Sequence, residues 1–137
     1  LVNLSNKNHW KPIICYDPYN FNDILTQIEK HMPNWDMRAV RQGSLTLNVP
    51  TRDFRDKLFQ KKIIHNDNQL LRYSMINARI KEDNNGWQLQ KKDRNSNSRI
   101  DPAAALMNAY VFARSYFNEQ EKSKTLNDFY SSPEFMQ

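Results

Sequence analysis

The sequence predicts an α/β domain in which a central mixed sheet is flanked by helices. Two observations lead to this prediction: a strand-helix-strand pattern over residues 12–43, and a hairpin turn signal at Asn85-Gly86. The first pattern indicates a parallel crossover, because a strand, a helix and a second strand in succession return to one sheet in parallel. The second indicates an antiparallel pair over residues 78–91. A sheet that holds both kinds of pairing is mixed.

The length and composition fit one folded domain. The chain has 137 residues, of which 39% are hydrophobic and 26% charged, and this apolar content is sufficient for a core. We expect residues 1–118 to form the domain. Residues 119–137 lose apolar periodicity, and we expect them to form a C-terminal tail that packs loosely or serves as a linker. The formal net charge of +5 suits a polyanionic partner such as nucleic acid, and it equally fits a solvated surface.

Several classes of protein and site are disfavoured by the sequence. The single cysteine, Cys15, lies in the apolar run "PIICYD", so we expect a buried structural thiol and a reducing cytosol. No apolar run approaches the roughly 18 residues that span a bilayer, and no signal peptide is apparent, so we expect no membrane partner. The three histidines lack the spacing of zinc ligands, and no glycine-rich phosphate loop is present.

The first half of the chain carries the strand-helix-strand pattern. Residues 12–16 form a short apolar run that ends at Asp17-Pro18, which predicts a buried strand and a turn. A helix follows, capped by Asn20 or Asn22 and stopped at Met32-Pro33. The stretch "WDMRAVRQG" then alternates apolar and polar residues as a second strand would.

The second half predicts two helices, the hairpin and a third helix. From Pro50, residues 51–62 place apolar side chains on one face and basic side chains around the rest, which is typical either of a solvated helix face or of a phosphate-contacting one. Residues 69–78 predict a further helix. After the hairpin, the polar run "DRNSNS" predicts a loop, and a helix follows it. The basic residues of the first helix are Arg52, Arg55, Lys57, Lys61 and Lys62.

Two aspartates stand out by their positions. Asp17 ends a parallel strand, and ligands of open α/β sheets bind beyond the carboxyl ends of the strands. Asp101 precedes Pro102 and an alanine-rich run that is expected to pack against the same sheet. Two carboxylates at one crevice suit Mg²⁺, which prefers oxygen ligands. Each aspartate also has a structural alternative: Asp17 as a turn residue that bonds its own backbone, and Asp101 as a helix cap ahead of Pro102.

The order of these segments resembles the C-terminal nuclease domain of tailed-phage terminase large subunits, which adopt a ribonuclease H-like fold. The resemblance runs from about residue 12 to residue 114. Its most specific elements are "YDP" at the end of the first strand, "QG" after the second, the "H-x-x-N" to "N-A" stretch, and the basic loop that closes in "R-I-D-x-x-x-A".

The resemblance implies a metal-dependent endonuclease that cuts concatemeric double-stranded DNA during packaging, in the cytoplasm of the infected or lysogenic bacterial host. It implies two Mg²⁺ or Mn²⁺ ions held by acidic residues, and it implies the portal protein and the terminase small subunit as partners of the full-length protein. Carried over by motif, the metal-binding and catalytic acids are Asp17 and Asp101, the supporting residue is Asn77, and the DNA-binding residues are Lys91, Lys92 and Arg94.

The chain departs from the family pattern at one point. The first acid of the family lies on the opening strand of the fold, and residues 1–11 contain no Asp or Glu. We therefore expect the later part of the nuclease domain, which alone binds metal weakly or not at all and is inactive. Two alternatives stay open: another ribonuclease H-like nuclease of the resolvase or integrase type, and a non-catalytic DNA- or portal-binding fragment.

Overall fold

The structure is a computed structural model that describes residues 6–93 and 99–130, with the backbone alone at residue 121 and residues 126–130. Strands and helices alternate along the chain, as expected of an α/β domain. In chain order they are β1 (Ile13–Tyr16), α1 (Asn22–His31), β2 (Asp36–Ala39), α2 (Ser44–Phe59), α3 (Gln69–Asn77), β3 (Ala78–Asp83), β4 (Gly86–Lys91) and α4 (Asp101–Tyr130).

The predicted parallel crossover is confirmed. Strands β1 and β2 pair in parallel, from Ile13 opposite Asp36 to Tyr16 opposite Ala39, and α1 connects them. Strand β1 is half-buried rather than buried, with Ile13 55% exposed, because it belongs to a sheet of two strands. The predicted asparagine cap of α1 is wrong: Phe21 takes the N-cap position, with no side-chain hydrogen bond.

The predicted hairpin is also confirmed, but it does not join the first sheet. Strands β3 and β4 pair antiparallel, from Ala78 opposite Lys91 to Asp83 opposite Gly86, and they form a separate two-stranded sheet. The expected central mixed sheet is therefore not observed. The hairpin packs instead on α2, where the Asn48 side chain accepts the Trp87 backbone N–H at 3.0 Å.

Helix α2 begins earlier than the sequence pattern predicts. It begins at Ser44 and contains Pro50, which the pattern places ahead of the helix. A proline inside a helix removes one backbone hydrogen bond. Here the burial of Leu47, Pro50 and Phe54 on one face of the helix outweighs that loss, because tertiary packing overrides local propensity.

The core lies between α2 and α4. The buried cluster consists of Val40, Leu47, Phe54 and Met107, and the Tyr110 ring packs edge-on against Phe54 with 5.0 Å between ring centroids. Helix α4 continues to Tyr130, so the described part of the expected tail is helical, which its lack of apolar periodicity does not predict. Glu, Gln and Lys favour helix without apolar periodicity, which explains the difference. No helix of the described residues is long and apolar enough to cross a membrane.

Candidate functional site

Asp17 lies directly after β1, at the position predicted for a ligand. Its Oδ1 accepts the backbone N–H of Tyr19 at 3.0 Å, which is the turn-forming bond that an aspartate ahead of a proline favours. The side chain is half-buried. Among the described residues, the second carboxylate oxygen has no hydrogen-bond or ion-pair partner. The turn role is therefore present, and it leaves one oxygen available.

Asp101 begins α4 but does not cap it. The Ala104 N–H donates to the Ile100 carbonyl at 2.9 Å, so Ile100 occupies the N-cap position and Asp101 is the first helical residue. The Asp101 side chain is exposed, and within residues 6–93 and 99–130 it makes no hydrogen bond or ion pair. A carboxylate in the first helical turn still interacts favourably with the helix dipole. Capping by its side chain is not its role.

The elements that carry the two aspartates are neighbours. Strand β1 packs against α4, and Arg38 of β2 lies over the Phe112 ring of α4 at 5.3 Å. Gln42 of the "QG" motif donates to both the Val40 carbonyl and Asn108 Oδ1 at 3.0 Å, which ties the loop after β2 to the same helix. A common crevice for the two carboxylates stays a prediction.

The two aspartates offer the kind of ligand atom that a divalent cation prefers, but they are only two side chains. Carboxylate oxygens are the donors that Mg²⁺ and Mn²⁺ prefer. Within the described ranges, however, no group of three or more His, Cys, Asp and Glu side chains lies close enough together to hold a metal ion. Asp17 and Asp101 therefore make at most part of a metal site.

Three of the other predicted residues meet at the open end of the hairpin. Lys91 pairs with Ala78, and the Lys92 N–H donates to the Asn77 carbonyl at 2.8 Å. The side-chain Nδ2 of Asn77 is buried and has no hydrogen-bond partner among the described residues. An unsatisfied buried donor costs about 1–3 kcal/mol. Arg94 lies outside the described residues.

A cavity of about 290 Å³ connects this end of the hairpin with the start of α4. Its walls include Ala78, which follows Asn77, and Ala103, which lies two residues after Asp101. Arg55 and Arg79 add positive charge to a lining that is otherwise mainly apolar. The sequence does not reveal this cavity, because its walls come from α2, α3, β3, β4 and α4.

The basic residues predicted for α2 differ in their surroundings. Arg52 and Arg55 lie over the Trp87 ring at 4.0 and 5.3 Å, and Arg52 also donates to Asn48 at 2.9 Å. These contacts hold α2 on the hairpin, so both arginines have a structural role. Lys61 and Lys62, beyond the end of the helix, are exposed.

The single thiol is not poised for chemistry. Cys15 lies in β1, half-buried, and burial raises its pKa, to which the nearby Asp36 carboxylate adds. A raised pKa keeps the thiol protonated at neutral pH, and the thiolate is the reactive form. The sequence predicts a buried thiol, and the structure shows a half-buried one.

Comparison with protein families identifies the chain. The family model of the terminase large subunit, endonuclease domain, matches residues 8–116, from before β1 into α4. Comparison with curated proteins and with solved structures returned no significant match. The two small sheets and their helices are consistent with an α/β nuclease domain. The matched region includes Asp17, Asn77, Lys91, Lys92 and Asp101, and the chain belongs to the family of terminase large subunit endonuclease domains.

Proposed function

We propose that this chain forms part of a metal-dependent endonuclease, of the ribonuclease H-like type, that cleaves concatemeric double-stranded DNA during phage DNA packaging. Membership of the terminase family supports a nuclease role in packaging. The observation that carries the finer proposal is the Asp101 carboxylate, which is exposed at a fixed helix terminus and has no partner among the described residues. Such an acid is available to a ligand.

We assign Asp17 and Asp101 as ligands and catalytic acids of two Mg²⁺ or Mn²⁺ ions. When bound, such a pair of ions activates the attacking water and stabilises the leaving oxygen of the phosphodiester. The bond from the Tyr19 N–H orients the Asp17 carboxylate and leaves its second oxygen for the ligand. The further acid that the family pattern places on an earlier strand would complete the set.

The basic residues near the open end of the hairpin are proposed to bind the DNA backbone. Lys91 ends β4 and Lys92 follows it, and the proposal extends to Arg94. Contacts to phosphates orient the duplex without reading its sequence. The buried Nδ2 of Asn77 is a donor that supports this end of the site. In the full-length protein the partners are the portal protein and the terminase small subunit, in the cytoplasm of the bacterial host.

Nicking of supercoiled plasmid by the complete domain tests the proposal. We expect cleavage that depends on Mg²⁺ or Mn²⁺ and is abolished in Asp17→Ala and Asp101→Asn. Asp23→Asn is the matched control, because Asp23 is also an exposed acid in the first turn of a helix, α1. No metal-dependent cleavage by the wild type would favour the non-catalytic alternative. Preferential cleavage of four-way junctions over linear duplex would favour the resolvase type.

A further inference from the structure

A basic groove lies between the C-terminal end of α2 and the middle of α4. It encloses about 490 Å³. Its lining is mainly apolar and includes Tyr110, Ala113 and Phe117, and none of its cationic residues lines the cavity beside Asn77. We call it the α2/α4 groove and define it by its four cations, Lys57, Lys62, Arg114 and Lys124.

The residues that α4 contributes form one stripe along the helix. They recur at intervals of three or four residues, which places them on one face. The stripe consists of Tyr110, Ala113, Arg114, Phe117, Gln120 and Lys124. At 1.5 Å per residue, the ten residues from Arg114 to Lys124 rise about 15 Å. The positive charges are therefore spread along the groove rather than gathered at one point.

One carboxylate organises the inner half of the groove. Asp53 lies 3.5 Å from Lys57 Nζ and 3.2 Å from Arg114 Nε, and it accepts the Tyr110 hydroxyl at 2.7 Å. Lys57 and Arg114 are thereby held half-buried. Lys62 and Lys124 are exposed, and in the described part of the chain no acid pairs with them. Among the described side chains of the groove, four cations against this one acid leave a positive charge.

We infer that the α2/α4 groove binds the phosphate backbone of DNA as a second contact, in addition to the residues near the hairpin. The inference rests on the proposed function, which supplies DNA as the partner. A single phosphate cannot reach charges about 15 Å apart along the helix, whereas a strand that rises 3.4 Å per base pair presents about four successive phosphates over that length. An extended polyanion therefore fits the groove better than a compact anion.

Salt-dependent binding of the 137-residue chain to a labelled 20-base-pair duplex tests the inference. The measurement is fluorescence anisotropy in EDTA, between about 50 and 200 mM salt. We expect Lys62→Ala/Lys124→Ala to make the slope of log affinity against log salt less negative by about 2, with affinity roughly tenfold lower at the low-salt end. The control, Lys11→Ala/Lys30→Ala, removes the same charge from exposed residues outside the groove.

Equal losses in the two double variants, or no loss in the groove variant, would overturn the inference. Lys62 and Lys124 are both exposed, so the melting temperature of the groove variant by circular dichroism should stay at the wild-type value. If polyglutamate at equal charge concentration displaces the duplex from the wild type, the inference is overturned and an acidic protein partner is favoured. Because EDTA removes divalent metal, the binding measurement does not require the proposed metal site, so failure of the nicking assay leaves this inference standing.

Discussion

Replacement of Gly86 by alanine tests how the hairpin is fixed to α2. Gly86 has a φ of +113°, in the region that favours glycine, and a Cβ there would lie 2.5 Å from both Oδ1 and Nδ2 of Asn48. The Asn48 amide cannot turn away without loss, because its Oδ1 accepts the Trp87 N–H at 3.0 Å and the Arg52 Nε at 2.9 Å. The variant therefore combines backbone strain with loss of the Asn48 contacts.

A second glycine separates these two costs. Gly43 has a φ of +117°, and nothing lies within 4 Å of a Cβ built on it. Gly43→Ala should therefore cost only the strain, about 2 kcal/mol. Gly86→Ala adds about 2 kcal/mol for the buried hydrogen bond that Asn48 gives up, for a total of about 4 kcal/mol. Asn48→Ala alone should cost about 2 kcal/mol, by the same bond.

The double variant makes the test quantitative. Once the Asn48 side chain is absent, Gly86→Ala adds only the backbone strain. The double variant Asn48→Ala/Gly86→Ala should therefore lose about 4 kcal/mol of unfolding free energy, rather than the additive sum of about 6 kcal/mol. The assay is urea unfolding followed by far-ultraviolet circular dichroism and tryptophan fluorescence. Additive costs, or a Gly86→Ala cost no larger than that of Gly43→Ala, would refute this account of the hairpin.

Three further variants probe other parts of the fold and the site. Asp101→Asn in the complete domain should lose DNA cleavage while melting at or slightly above the wild-type temperature, since relief of the repulsion expected between the two proposed ligand carboxylates offsets the lost interaction with the helix dipole; wild-type cleavage would contradict its role as a ligand. The Ser44 hydroxyl, 2.5 Å from Asp83, lowers the pKa of that carboxyl, so Asp83 stabilises the fold above its unfolded pKa and the contribution is lost as pH falls. Ser44→Ala should therefore make unfolding free energy fall less steeply from about pH 5 to about pH 2, and an unchanged slope would contradict this. Met107 is 3% exposed, so Met107→Ala should lower the unfolding free energy measured in urea by about 2–5 kcal/mol. A decrease below about 1 kcal/mol would show that the core refills the cavity.

Local signals predicted the elements that depend on neighbours in sequence. The Asn85-Gly86 signal predicts the β3-β4 hairpin, but the two turn residues are Asn84 and Asn85, and of the predicted pair Gly86 alone has a positive φ. The start of α2 could not be predicted in this way, because Pro50 is tolerated only through burial against distant residues. The same holds for the division into two sheets, since the hairpin is held by Asn48 of α2 rather than by another strand.

The sequence predicted where the acids of the candidate site lie in their strand and helix, but less of the site's geometry. The strand end at Asp17 and the helix start at Asp101 follow from sequence patterns, whereas the N-cap falls on Ile100, one residue before the expected position. The unsatisfied Nδ2 of Asn77 depends on burial by several elements, which no sequence pattern encodes. A common crevice for the two acids stays a prediction.

Helix α4 gives the proposed DNA contacts a fixed spacing. It runs unbroken from Asp101 to Tyr130, so the 23-residue interval from Asp101 to Lys124 rises about 35 Å. One turn of duplex DNA also measures about 34–36 Å. A duplex that lies along α4 would place the proposed phosphate contact at Lys124 and the proposed cleavage at Asp101 about one turn of DNA apart. Inserting half a turn of α-helix into α4 would rotate Lys124 about the helix axis relative to Asp101 and would also lengthen the distance between them.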